Sequence, residues 1–232
     1  MTTDVTDGVK WYLAFVFSTT VHEASHAWTA LKLGDDTACR GGQVTLDPTP
    51  HIRREPMGMV VVPILSYLLG GWMIGWASAP YNPQWAGQNP RRAAAMSLAG
   101  PASNLLILMA AAMLIRAGIA FHFFEPPFSI GFSRVTDAVS GGGYFFATAL
   151  SILFSLNLLL CAFNLLPLPP LDGSGALMFF VGRESADKFL QLMHHPTLRL
   201  IGLIVAWRVF AMIFPSIQLF AVNLLYPGIG YH

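Results

Sequence analysis

Two histidines and a glutamate stand together in the run His22-Glu23-Ala24-Ser25-His26 of this 232-residue chain. On a helix, residues four apart project from one face, so both imidazoles could meet a single zinc ion, with Glu23 set about 100° round from His22. Residue types of this kind suit metal-assisted hydrolysis: two neutral nitrogen ligands, and a carboxylate to take a proton from water. The setting sharpens the signal, because the motif lies inside an apolar segment over residues 9–33. An ionisable group in such a segment costs at least about 2.5–3.5 kcal/mol at the membrane centre and marks function by default. Three of them in one helix are hard to explain as packing.

The elements that must position this motif are membrane elements. The chain is 54% hydrophobic and 11% charged, against roughly 25% charged in an ordinary soluble domain, and its mean hydropathy is +0.56. Apolar stretches near the roughly 20 residues needed to cross a bilayer cover 9–33, 57–78, 93–117, 143–168 and, less cleanly, 197–226. The expected fold is therefore an all-α polytopic helical bundle of five to six hydrophobic segments, with a short β-prone stretch after the first helix. Residues 1–232 are expected to form one domain, since no soluble domain has room between the segments. With a net charge of +1, nothing suggests an electrostatic partner such as nucleic acid, and none is expected. The first segment is too long and too polar for a signal peptide and reads as a retained helix. Cys39 and Cys161 lie in unlike contexts and suggest neither a disulfide nor a thiolate metal site.

Basic residues set the orientation. Lys32, Arg40, Arg53 and Arg54 follow the first segment while Arg91 and Arg92 precede the third, and such residues stay cytoplasmic. The first helix then runs inward, placing His26 towards the cytoplasmic side of a cell membrane. Segment 57–78 must enter and return on one side; Gly70-Gly71 and Gly75 suit a broken, re-entrant hairpin. Residues 118–142 form an external loop, and 143–168 returns to bring Asp172 to the side of His26. Between the first two segments, Gly41 to Pro48 reads as a turn, a short β-prone run and a stop, and an edge there, over 42–48, could accept an extended peptide as an added strand.

A catalytic zinc usually has three protein ligands and one open position. A continuation to a third histidine on the same helix fails, because Thr29 and Lys32 stand where Gly and His are required. Glu55 and His51 are downstream candidates, but Glu55 sits among Arg53, Arg54 and Pro56, where local ion pairs explain it. Asp172 stands better. It follows an apolar run broken by Pro167, Pro169 and Pro170, and irregular backbone at membrane depth survives only in contact with protein or a cavity.

In this respect the chain resembles the site-2 proteases, intramembrane zinc metallopeptidases. Three elements match in order: HEASH at 22–26, Gly100-Pro101-Ala102-Ser103-Asn104, and Asn164 through Gly173. The likeness spans roughly 10–180, and GGQVTLDPTPH and GWASAPYNP are similar to a small subgroup without a PDZ domain. Within that subgroup an acidic residue often follows His-Ile, where this chain has Arg53. The resemblance implies one zinc ion on His22, His26 and Asp172, with Glu23 as catalytic base and Asn164 binding substrate. Asn104, Gly100 and Pro101 would support the site, although helix packing explains the last two equally. It implies cleavage of a peptide bond in transmembrane protein substrates within membrane lipid. Two alternatives stand beside it: a metal-ion transporter, and an inactive relative that binds membrane segments. Transport is expected to spread ligands over paired, broken segments, which this chain lacks, and an inactive relative has no need of Glu23.

Overall fold

The computed structural model describes residues 5–232, so the first four residues of the expected domain lie outside the described residues. Helix α1 (Val5–Leu33) carries Asp7 in its first turn and Lys32 in its last, charges that oppose the helix dipole at both ends. Two short helices follow, α2 (Thr37–Arg40) and α3 (Pro48–Arg54). Next come a π-helical turn at Met57–Val61 and helix α4 (Val62–Gly70). Helix α5 (Pro83–Gln88) leads into α6 (Pro90–Ala120). After a loop holding the two-residue strands β1 (Phe124–Glu125) and β2 (Asp137–Ala138), paired antiparallel, helix α7 (Tyr144–Asn164) begins. The short helix α8 (Asp172–Ala176), the helix α9 (Arg183–His194) and the long α10 (Pro196–Leu225) complete the chain. This is an all-α bundle.

Among the described residues, three stretches are long and apolar enough to cross a membrane: Pro90–Ala120, Gly141–Asn164 and Pro196–Leu225. The C-terminal apolar stretch is one continuous helix. Helix α1 has 29 residues but is not among the three. Its Ser18, Thr19, Thr20, His22, Glu23 and His26 lower its hydropathy, and all six are buried. They are enclosed because α1 packs between α6 and α7. Lipid offers no hydrophobic gain for helix pairing, so close approach by small residues and interhelical hydrogen bonds must hold the pair together. Ala27 and Ala30 of α1, and Ala93, Ala94 and Gly100 of α6, are among the small buried residues of these two helices.

Segment 57–78 doubles back on itself. Gly71 at φ +75° ends α4, and the chain returns with Trp76 N–H donating to Gly58 O at 3.2 Å. Ser66 Oγ accepts from Ile74 N–H at 3.1 Å. The two arms touch through glycines, since a Cβ on either Gly58 or Gly75 would strike the backbone of the other arm.

One expectation is corrected. The β-prone stretch at 42–48 forms no strand. Gly42 turns at φ +72°, Gln43 buries its amide and donates to Ser78 O at 3.3 Å, and Asp47 caps α3 by accepting from Thr49 N–H at 2.9 Å. Local side-chain bonds to the backbone outcompete a ladder that has no partner strand. The strands lie instead in the loop after α6, which is seated on the helix ends. Ser151 Oγ accepts from Val135 N–H at 2.9 Å and Thr136 N–H at 3.1 Å. Tyr226, its phenol pushed up to about 12 by burial, donates to Val135 O at 2.9 Å.

Candidate metal centre

Ser18, His22 and His26 fall at four-residue intervals on α1, and Met96, Gly100 and Asn104 do so on α6, so each set lines one helix face. The two stripes meet in antiparallel order. His26 Nδ1 lies 2.7 Å from Met96 O, and His22 Nδ1 lies 2.6 Å from Asn104 Oδ1. A carbonyl oxygen only accepts, so both Nδ1 atoms carry the ring proton, and in the neutral rings both Nε2 atoms present a lone pair.

Those lone pairs converge. The Nε2 atoms are 3.0 Å apart, and Asp172 Oδ2 lies 3.0 Å from His22 Nε2 and 3.3 Å from His26 Nε2. The rings stand edge to face, with centroids 4.7 Å apart. With neutral imidazoles, no proton is left to bridge the three atoms, and Asp172 Oδ2 is a buried oxygen without a hydrogen-bond partner. Three electron pairs facing one another in a buried space are repulsive unless a cation lies between them. Two imidazoles and a carboxylate also suit the borderline character of zinc. The donor set fits the metal that the sequence implies.

Glycines make room for this meeting. Gly173 lets α8 close onto the end of α7, because a Cβ there would strike the Leu165 and Leu166 carbonyls. Gly175 gives the same clearance against Ser97 of α6. Gly100 faces the cluster itself: a Cβ at this position would press on Nε2 of both histidines. Gly100→Ala puts a methyl where those lone pairs point, and zinc affinity is expected to fall at least about tenfold, the lower end of losses seen when groups around a metal are disturbed. Alanine favours a helix over glycine by about 1 kcal/mol, so helix propensity cannot account for such a loss. Equilibrium dialysis against zinc measures it, and unchanged affinity would refute the steric role.

The remaining residues take separate places. Glu23 is buried on α1 between the two histidines in sequence, at 6% exposure. Pro101 lies inside α6 and is buried beside Gly100. Asn164 closes α7 with its amide donating to Leu160 O at 3.0 Å, and no hydrogen bond joins it to the three-residue cluster among the described residues. Glu55 accepts from Ser78 Oγ at 2.6 Å, and buried His51 has Nε2 3.2 Å from Thr45 O. Neither joins His22, His26 and Asp172, which form the one metal-capable cluster among the described residues. Cys39 and Cys161 are free thiols. Sequence reasoning passed over Asn157 of α7 and Ser18, which are fully buried beside Asn104. Their only signal was a polar side chain in an apolar helix.

The sequence profile of peptidase family M50 matches residues 11–209. The chain is 37% identical over 163 residues to "Putative zinc metalloprotease YwhC" of Bacillus subtilis, covering 69% of this chain and 64% of that protein. It is 32% identical over 163 residues to "Putative zinc metalloprotease Rip2" of Mycolicibacterium smegmatis, covering 70% of this chain and 54% of that protein. The chain thus spans less than two thirds of the length of these curated relatives. No solved structure matches it.

Proposed function

Because the chain belongs to peptidase family M50, the site-2 protease family, we propose that it is a zinc-dependent intramembrane endopeptidase acting on transmembrane protein substrates. The observation that carries the proposal is the convergence of two Nε2 atoms and one buried carboxylate oxygen. In this reading His22, His26 and Asp172 hold the zinc, leaving a position for water. The ion supplies Lewis acidity towards water and the scissile carbonyl. Glu23 takes the water's proton and delivers it to the leaving amine. Asn104 and Met96 hold the two rings, Gly100 and Pro101 keep the facing helix close without obstructing it, and Asn164 meets the substrate. Residues 1–232 act as one intramembrane peptidase domain, with its core motifs within 10–180.

Asp172 has a side chain 22% exposed, against 9% for each histidine, so water and substrate approach from the α8 side. The substrate must unwind there, because a helix hides its carbonyls in its own hydrogen bonds. With no strand at 42–48, the return arm of the 57–78 hairpin is the remaining candidate for holding the extended peptide. The site lies towards the cytoplasm of a cell membrane. Arg92 Nη1 donates to Leu33 O at 3.1 Å, so the basic residues flanking α1 and α6 gather at one end, as a cytoplasmic face requires.

The experiment is metal removal. The full chain, reconstituted in lipid with single-span membrane peptides, is expected to release shortened products, to stop when zinc is stripped by a chelator, and to resume when zinc is restored. Cleavage that continues after the zinc is gone would overturn the proposal. The transport alternative is checked in the same vesicles, where no zinc flux is expected; the family membership does not favour it.

A further inference from the structure

We infer that Asn157, whose hydrogen bonds go to Asn104, Ser18 and Leu153 rather than to the three proposed metal ligands, is a positioning residue that sets the tautomer of His22 through Asn104. The inference rests on the zinc site proposed above. An amide side chain can be turned over without changing shape, so Asn104 alone does not determine whether it offers His22 an acceptor or a donor. The choice is made one residue further out. Asn157 Nδ2 lies 2.8 Å from Leu153 O, a backbone carbonyl that only accepts, and 2.9 Å from Ser18 Oγ. Asn157 must therefore turn its Oδ1 towards Asn104, whose Nδ2 donates to it at 2.8 Å. With Nδ2 committed there, Asn104 presents Oδ1 to His22 at 2.6 Å. That oxygen accepts the Nδ1 proton and leaves the Nε2 lone pair for the metal.

The direction of the relay follows from the Leu153 carbonyl, and the Ser18 carbonyl, 3.5 Å from Asn104 Nδ2, favours the same sense at the outer limit of hydrogen-bond length. Ser18, Asn104 and Asn157 are each 0% exposed, so no water can restore a bond that is lost or reverse its sense. The relay also joins α1, α6 and α7, the three helices that frame the site. In Asn157→Leu, Asn104 keeps only the long 3.5 Å contact to Ser18 O, and gives it up to turn over and offer its NH2 to His22. The ring then places its proton on Nε2, where it opposes the metal.

The test compares zinc affinity, by competition with a chromogenic chelator, for the full chain, Asn157→Leu, Asn104→Ala and the double variant, beside the thermal midpoint of each without metal. Loss of an outer partner typically lowers metal affinity about 10- to 100-fold, and Asn157→Leu is expected within that range. Because both residues act along one path, the double variant is expected to bind zinc as Asn104→Ala does, the two losses not multiplying. Unchanged zinc affinity in Asn157→Leu would overturn the inference, whatever happened to the midpoint, since that is the signature of packing alone. Losses that multiply in the double variant would overturn it as well. Should Asn157→Leu fail to fold, Asn157→Ser carries the same comparison, with the same outcomes deciding. Zinc binding by the unsubstituted chain tests the proposed site by itself, so a failure of the site and a failure of the relay are told apart.

Discussion

Glu23→Gln is expected to abolish peptide cleavage while the protein still binds zinc. The substitution keeps the shape and length of the side chain but removes its ability to accept and return a proton. Glu23 is 6% exposed, and within the described residues no other carboxylate joins the cluster of His22, His26 and Asp172, so no neighbour stands in for it. General acid–base catalysis contributes about 10²- to 10⁴-fold, and a residue that handles both proton transfers is expected at or beyond the upper end. Zinc content is expected to stay at one ion per chain, because Glu23 is not among the three residues whose donor atoms converge. Cleavage at the parent rate would sink the assignment of Glu23. Loss of zinc together with activity would instead make it a ligand. In cells, the membrane proteins that accumulate uncut in the Glu23→Gln strain would identify the substrates.

Asp172→Ala is expected to lose the zinc itself. Disturbing a residue behind a ligand lowers affinity about 10- to 100-fold, and removing one of three ligands is expected to exceed that range. Two lone pairs 3.0 Å apart on His22 and His26 would remain, without the negative charge that makes a cation favourable between them. The rings themselves are expected to keep their places, since Met96 O and Asn104 hold their Nδ1 atoms. Zinc content after dialysis, measured beside the helical content of the protein, separates ligand loss from unfolding. Undiminished zinc affinity would return Glu55 or His51 to consideration and would require a rearrangement of α3.

Some of this was legible in the residues alone, for local reasons. The four-residue interval of His22 and His26 places them on one helix face whatever the rest of the chain does, and the apolar runs around 93–117 and 143–168 announce their own helices. The glycines at 70, 71 and 75 correctly mark a chain reversal, since Gly71 adopts φ +75°. Other parts misled because they depend on neighbours. Gln43 to Asp47 has strand-like composition, but Gln43 finds Ser78 and Asp47 finds Thr49 before any strand can be offered. The amphipathic α9 lay unrecognised among polar residues of the C-terminal third, where its buried Ala186 and Leu190 meet Trp85 and Ala86 of α5. The polar stripe of α1 lowers its hydropathy below that of the three spanning candidates, and only its enclosure by α6 and α7 explains how it is accommodated.

By itself the sequence determined which atoms could bind a metal and which could move a proton: two imidazoles and a carboxylate on one helix, and a second carboxylate on a proline-broken segment. It determined a membrane setting as well, through composition. Only the tertiary structure decided that these atoms meet, and which nitrogen of each ring faces the others. Covalent spacing relates His22 to His26, but Asp172 reaches them only because Gly173 and Gly175 let α8 close against α7 and α6. The free lone pairs depend on acceptors at Met96 and Asn104, brought from another helix. Helical spacing is set by local bonds, whereas ligand convergence and hydrogen-bond direction depend on contacts between distant helices.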